Sequence, residues 1–257
     1  MHFPRFGIQS DMINRQNGRR HVAWDIETTG FGVEDVMTVA GFWFPNGHAA
    51  LFLNSTTTTP AEITTLEQQL HTQTGGQDVS VHLCDGGEEL LLGMRELLFE
   101  RFEKNQNRLI AYNAESWKGG FDLPFVRTCC IKYNVPWVFD GIQFADLYDP
   151  LQKRINTTVT QHGASADANT LTGSHELLTP SPRNLDVHSE YIPDDYQWYT
   201  EHWYDPFASS ASAVDAHRND NHLDVLLHNL ADVHRTWELG ELIREYVPSK
   251  DITTKKL

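Results

Sequence analysis

The chain has 257 residues, 40% of them hydrophobic and 11% aromatic, and a formal net charge of -15 at pH 7. That apolar content excludes a disordered chain and supplies a sizeable core, while the acidity argues against a protein that grips phosphates through a basic patch alone. No apolar run approaches the ~20 residues needed to cross a bilayer, and Arg5, Asp11, Arg15, Arg19 and Arg20 interrupt the leader, so neither a membrane span nor a signal peptide is expected.

Cys84, Cys129 and Cys130 form neither a spaced disulfide framework nor a metal knuckle, which points to reduced thiols and a cytoplasmic setting. Lysine is scarce and arginine carries most of the positive charge. An acidic balance of this size predicts a salt-adapted, halophilic cytosol, where the screening length falls to about 3 Å near 1 M salt. The length predicts one domain over 1–257 with one large insertion.

In chain order, His21–Ile26 is a short apolar run that ends at a turn containing Gly30 and Gly32, the pattern of a buried central strand. Val36–Phe44 and Ala49–Leu53 flank Pro45-Asn46-Gly47, a hairpin signal. Ala61–Gln73 reads as a helix with a weak apolar stripe. Leu90, Leu91, Met94, Leu97, Leu98 and Phe102 recur at helical spacing and mark a helix over Glu88–Phe102. A strand at Arg108–Tyr112, a helix at Phe121–Tyr133 and a strand at Val138–Ala145 follow. From about 146 to 206 the chain turns polar and loses periodicity, which marks the insertion and leaves its fold unreadable. Leu223, Leu226, Leu227, Leu230, Val233, Trp237, Leu239 and Leu242 then define a long amphipathic helix over Asn221–Tyr246. The histidines 162, 175, 188, 202 and 217 lie in or near the insertion at irregular spacings, which predicts scattered polar surface and no zinc cluster.

Asp25 and Glu27 lie two apart at a strand end, so both carboxylates point to one side, where a hard cation can bridge them. His228 and Asp232 lie four apart on one helix face, placing a metal ligand beside a proton-handling group. Asp122 opens a helix, a position also favoured simply by the helix dipole.

Three segments together carry a resemblance. Trp24-Asp25-Ile26-Glu27-Thr28-Thr29-Gly30 resembles the first motif of the DEDD 3′-to-5′ exonucleases, a ribonuclease-H-like superfamily that includes polymerase proofreading domains. Asn113–Pro124 (NAESWKGGFDLP) is similar to the second motif through Asn113 and Phe121-Asp122, with a longer spacer containing Gly119-Gly120. His228-Asn229-Leu230-Ala231-Asp232-Val233 resembles the third, with His228 at the spacing used by the tyrosine subtype and Leu227 at the position of the histidine subtype. The resemblance spans Val22–Val39, Leu109–Arg127 and Asp220–Leu242. Its motifs come nearest to family-B polymerase proofreading domains and uncharacterised archaeal relatives.

The resemblance implies a mixed α/β sheet of three antiparallel strands followed by parallel ones, flanked by helices. It implies a metal-dependent exonuclease acting on DNA or RNA 3′ ends by two-metal displacement. Asp25, Glu27, Asp122 and Asp232 would hold two Mg²⁺ or Mn²⁺ ions, His228 would handle the proton of the attacking water, and Thr28, Asn113 and Phe121 would meet the terminal nucleotides. Two other functions fit the same fold: a non-catalytic nucleic-acid-binding module and a ribonuclease-H-type endonuclease. Oligomeric state is not legible.

Overall fold

The computed structural model describes residues 19–115, 120–161, 164–179, 205–207 and 210–257. Its centre is a seven-stranded mixed sheet. The strands are β1 (Arg20–Thr28), β2 (Met37–Trp43), β3 (Ala49–Asn54), β4 (Val79–Cys84), β5 (Asn107–Ala111), β6 (Gln143–Asp146) and β9 (Lys255–Lys256), in the order β4-β3-β2-β1-β5-β6-β9. β1, β2 and β3 are antiparallel neighbours; β5 joins β1 in parallel and β6 joins β5 in parallel. This mixed α/β arrangement, three antiparallel strands followed by parallel ones, is the one expected from the sequence, with β4 added parallel to β3 on one edge and β9 antiparallel to β6 on the other.

Helices cover both faces. α2 (Gly87–Arg101) and α3 (Asp122–Tyr133) pack on the side to which Val22, Trp24 and Ile26 point. α1 (Pro60–Gln73), α4 (Tyr148–Arg154) and α7 (His222–Tyr246) pack on the side of Ala23, Val39 and Leu51. The period of two along β1 therefore turns Ala23, Asp25 and Glu27 toward α7. α7 runs antiparallel to β1: Asn229 meets Asp25, while Gly240 meets His21 and Ile110. The approach is close because Gly41, paired with Asp25 on β2, has no side chain; a Cβ there would lie 2.0 Å from Asn229 Oδ1.

Two elements differ from expectation for physical reasons. β4 is not among the expected strands, although Val79, Val81 and Leu83 alternate with Ser80 and His82; it is a half-exposed edge strand, and Glu67 on α1 accepts the Val81 N–H at 2.8 Å. The expected strand Val138–Ala145 is a turn up to Ile142, whose N–H bonds Phe139 O at 3.0 Å with Gly141 at φ 74°, and only Gln143–Asp146 is strand. α1 forms despite its weak stripe because Thr59 and Glu62 make a reciprocal capping box.

Part of the region expected to be an unreadable insertion is ordered structure: α4, a hairpin of β7 (Thr158–Gln161) with β8 (Ala164–Asp167), and α5 (Leu171–Leu178). Its strands are held by polar cross-strand pairs, Thr158 with Asp167 and Thr160 with Ser165, which carry no apolar alternation to read. α6 (Ser210–Arg218) precedes α7. Residues 180–204 lie outside the described residues, as do His162, His188 and His202. His175 corrects the expectation of scattered polar surface: it is buried on α5 and pairs with Glu238 of α7 at 2.5 Å.

Candidate functional site

The site forms where β1, β5 and β6 end. A register shift between Glu27 and Thr28 breaks the β1–β2 ladder, a bulge of the kind that re-aims side chains at a strand end. Beyond it the turn is fixed by Asp35, whose carboxylate accepts from Thr29 Oγ1 at 2.9 Å and Gly32 N at 2.7 Å. Asp35 packs so tightly on Gly30 that a Cβ there would fall 2.7 Å from Oδ2, which explains the glycine of the first motif. The turn presents Phe31, 84% exposed, edge-on to Phe121 at 5.0 Å. Thr28 Oγ1 donates to Gly30 O at 2.8 Å, so its hydroxyl shapes this turn.

The second segment is pinned from below by Asp146, the last residue of β6. Its carboxylate accepts the N–H groups of Asn113 and Glu115, each at 2.9 Å, and of Tyr148 at 3.0 Å. Asn113 adopts the left-handed region at φ 60°, where asparagine is tolerated. Gly120, at φ 61°, closes the base of the longer spacer: its Cα approaches Glu115 so closely that a Cβ would lie 2.1 Å from that backbone. Residues 116–119 lie outside the described residues. Asp122 then opens α3 with its carboxylate close enough to Glu27 and Asp232 to feel their charge.

α7 supplies the third segment. Asn229, fully buried, donates from Nδ2 to Asp25 Oδ2 at 3.0 Å. His228 Nε2 lies 3.8 Å from both Glu27 Oε1 and Asp232 Oδ2, and these three side chains form a compact cluster able to hold a metal ion. Asp205 accepts from His228 Nδ1 at 2.8 Å, and Arg235 bridges Asp205 Oδ2 at 2.5 Å and Asp232 Oδ1 at 2.7 Å.

The electrostatics follow from packing like charges in a dry place. Burial, then the charges of Glu27, Asp122 and Asp232, hold the Asp25 carboxyl well above the ordinary carboxylate range. Burial pushes Glu27 up to about 7, with Asp232 adding to the shift and His228 opposing it. Burial, Glu27, Asp146 and Asp232 push Asp122 up to about 8. Burial alone would lower His228; the Asp205 hydrogen bond and the charges of Asp232 and Glu27 outweigh it and raise the imidazole to about 9. Asp205 stays below the usual range despite its burial, because His228 and Arg235 bond its ionised form.

The structure thus brings Asp25, Glu27, Asp122, His228 and Asp232 together, with Asn113 and Phe121 on the bordering loop. Sequence reasoning missed Asp146, Asp205, Asn229, Arg235 and Phe31. Asn229 and Arg235 had a local signal, each falling on the His228 and Asp232 helix; Asp205 and Asp146 had none.

The site residues fit a divalent cation. The donors are carboxylate oxygens of Glu27 and Asp232 with one imidazole nitrogen, His228 Nε2, which has no hydrogen-bond partner, and the three lie within 4.8 Å of one another.

No protein-family model matches the chain, and no curated protein matches it. A solved structure that does match is the family B DNA polymerase from the hyperthermophilic archaeon Pyrobaculum calidifontis, at a TM-score of 0.49 and 16% identity, over 88% of this chain and 25% of that one. The chain spans about a quarter of that polymerase chain, and the likeness is a weak one that concerns the fold alone. Among the described residues no helix is long and apolar enough to cross a membrane.

Proposed function

We propose that this chain is a metal-dependent 3′-to-5′ exonuclease that hydrolyses phosphodiester bonds of DNA or RNA. The observation that carries the reading is the convergence of four carboxylates from three separate segments, Asp25 and Glu27, Asp122, and Asp232, at one end of the sheet, where burial first and their shared charge second raise the proton affinity of Asp25, Glu27 and Asp122.

Asp25, Glu27 and Asp232 would hold one cation, and Asp25 with Asp122 would hold a second. Bound Mg²⁺ or Mn²⁺ supplies Lewis-acid polarisation of the phosphate and neutralises charge that develops during in-line displacement. The protein's own groups do the rest. Asn229 fixes the Asp25 carboxylate through its Nδ2, and Asp146 fixes the loop that carries Asn113. Phe31 and Phe121 form an exposed aromatic edge beside the carboxylates, suited to stacking a terminal base without choosing its identity. The net charge of -15 repels a polyanion, so substrate binding itself should require the cations.

The test uses 5′-labelled single-stranded DNA and RNA with Mn²⁺ or Mg²⁺ in molar KCl. The expected result is a ladder shortening stepwise from the 3′ end, absent in Asp25→Ala. Internal fragments from an RNA–DNA hybrid would replace the reading with an endonuclease, and 3′-end binding unaffected by metal and without cleavage would replace it with a binding module.

A further inference from the structure

Beside the carboxylates, Asp205, Phe207 and Arg235 pack around the ring of His228 in an arrangement that hydrolysis by the carboxylates alone does not require. His228 is 5% exposed, and the edge of its ring is covered by Phe207, whose centroid lies 5.5 Å away. Asp205 Oδ1 accepts both the Phe207 N–H at 3.0 Å and His228 Nδ1 at 2.8 Å, while Oδ2 takes Arg235. A carboxylate in that position can only accept, so Nδ1 keeps its proton in either charge state, and once a cation displaces the second proton the neutral ring presents its lone pair from Nε2.

That nitrogen is buried, has no hydrogen-bond partner, and faces Glu27 Oε1 and Asp232 Oδ2 at 3.8 Å each. The separation is too long for a hydrogen bond. Two donors about 2.1 Å from one cation stand roughly 3.0 Å apart at an octahedral angle and roughly 3.4 Å apart at a tetrahedral one, so closing on a shared ion draws these side chains in by less than about 1 Å. The three donor atoms all lie within 4.8 Å of one another. Arg235 occupies Oδ1 of Asp232, which leaves Oδ2 turned to the same point. A carboxylate behind a histidine, fixing its tautomer and orientation, is the usual outer partner of a metal-bound imidazole.

We propose that His228 Nε2 is a direct ligand, with Glu27 and Asp232, of one cation, and that Asp205 and Arg235 are its positioning residues. The inference rests on the metal reading above and sharpens it. His228 is then a ligand in place of the proton acceptor expected from its spacing, and the centre is a mixed nitrogen–oxygen site. Such a site takes a first-row transition-metal dication, Mn²⁺ or a later ion, in preference to Mg²⁺, whose hardness favours oxygen.

The test is electron spin-echo envelope modulation on the full chain loaded with Mn²⁺. The expected result is ¹⁴N modulation from a directly bound imidazole, lost in His228→Gln while Mn²⁺ is still taken up. Asp205→Asn should keep the ¹⁴N signal and weaken Mn²⁺ affinity by about 10–100-fold, the usual effect of removing an outer partner. Mn²⁺ bound without ¹⁴N modulation, or modulation unchanged in His228→Gln, overturns the inference and leaves the carboxylate metal site standing. No Mn²⁺ uptake by the wild-type chain overturns both.

Discussion

Helix α7 buries three histidines, His222, His228 and His234, and the last two have opposite characters. His228 lies among Asp205, Glu27 and Asp232 and is raised to about 9. His234, equally buried, is lowered to about 4 by desolvation, with His175 and Arg235 adding to the shift and Glu238 opposing it. Trp43 stands edge-on to His234 at 4.4 Å, and the nearby carboxylate, Glu238, is already bonded to His175. Burial is common to both, so burial alone does not make a site. Their company differs: His228 faces the end of β1, where the ladder breaks and carboxylates gather, whereas His234 faces the sheet near Trp43, paired with Ala23, and is sealed by aromatic rings.

Neutralising one carboxylate in each region puts the largest strain on this contrast. Asp232→Asn should reduce turnover by more than the roughly 10–100-fold that loss of an outer metal partner costs. Glu238→Gln should leave turnover unchanged and lower stability by about 1 kcal/mol, read from urea unfolding, because His175 exchanges an ionised acceptor for a neutral one. Equal losses of activity in the two variants would erase the distinction.

The two regions should also give opposite pH slopes in metal-free protein. Glu27 and Asp122 have folded values of about 7 and about 8, above their unfolded values, so the native state holds extra protons and their contribution is lost as pH rises through 7–8. His234 has a folded value below its unfolded one, so its contribution is present above about pH 6.5 and lost as pH falls through about 4. Thermal unfolding should therefore show a Mn²⁺-induced rise in Tm that is larger at pH 8 than at pH 6. Asp122→Asn should raise the metal-free Tm at pH 8 by several degrees, at about 2–4 °C per kcal/mol, and remove most of that metal response. A metal response independent of pH would contradict relief of buried charge as its cause.

Gly41→Ala tests the packing that seats α7 on β1. Its Cβ would collide with Asn229 Oδ1, so α7 must shift, at a cost of about 1–3 kcal/mol, and turnover should fall because Asn229 no longer holds Asp25. Phe31→Ala should have the smallest effect: no loss of stability, since the ring is exposed, and a higher KM corresponding to about 1 kcal/mol of lost stacking.

Much of the sheet and the centre of the site were legible because their signals are local. The two-residue spacing of Asp25 and Glu27, the four-residue spacing of His228 and Asp232, and the long periodicity of α7 each fix geometry within one element. The missing parts are those made by tertiary contact. Asp205 lies 23 residues before His228, in a polar stretch with no period, and only the fold brings it to Nδ1. Asp146 went unread because apolar residues at Val138, Phe139 and Ile142, which fill the core from a turn, mimic a longer strand. β4 carried readable alternation but is short, includes His82, lies between Gly75-Gly76 and Gly86-Gly87, and sits on the sheet edge. In the hairpin β7–β8 the apolar pair Val159 and Ala166 stands among threonines, serine and aspartate, too little for periodicity to find it.

Anomalous diffraction from crystals grown with Mn²⁺ asks directly whether the carboxylates at the end of β1 form a metal centre. A peak is expected among Asp25, Glu27 and Asp232, within about 2.0–2.3 Å of carboxylate oxygens, and should disappear in Asp25→Asn. A saturated crystal with no peak there, or with Mn²⁺ bound only elsewhere, would contradict the metal centre and with it the proposed hydrolysis.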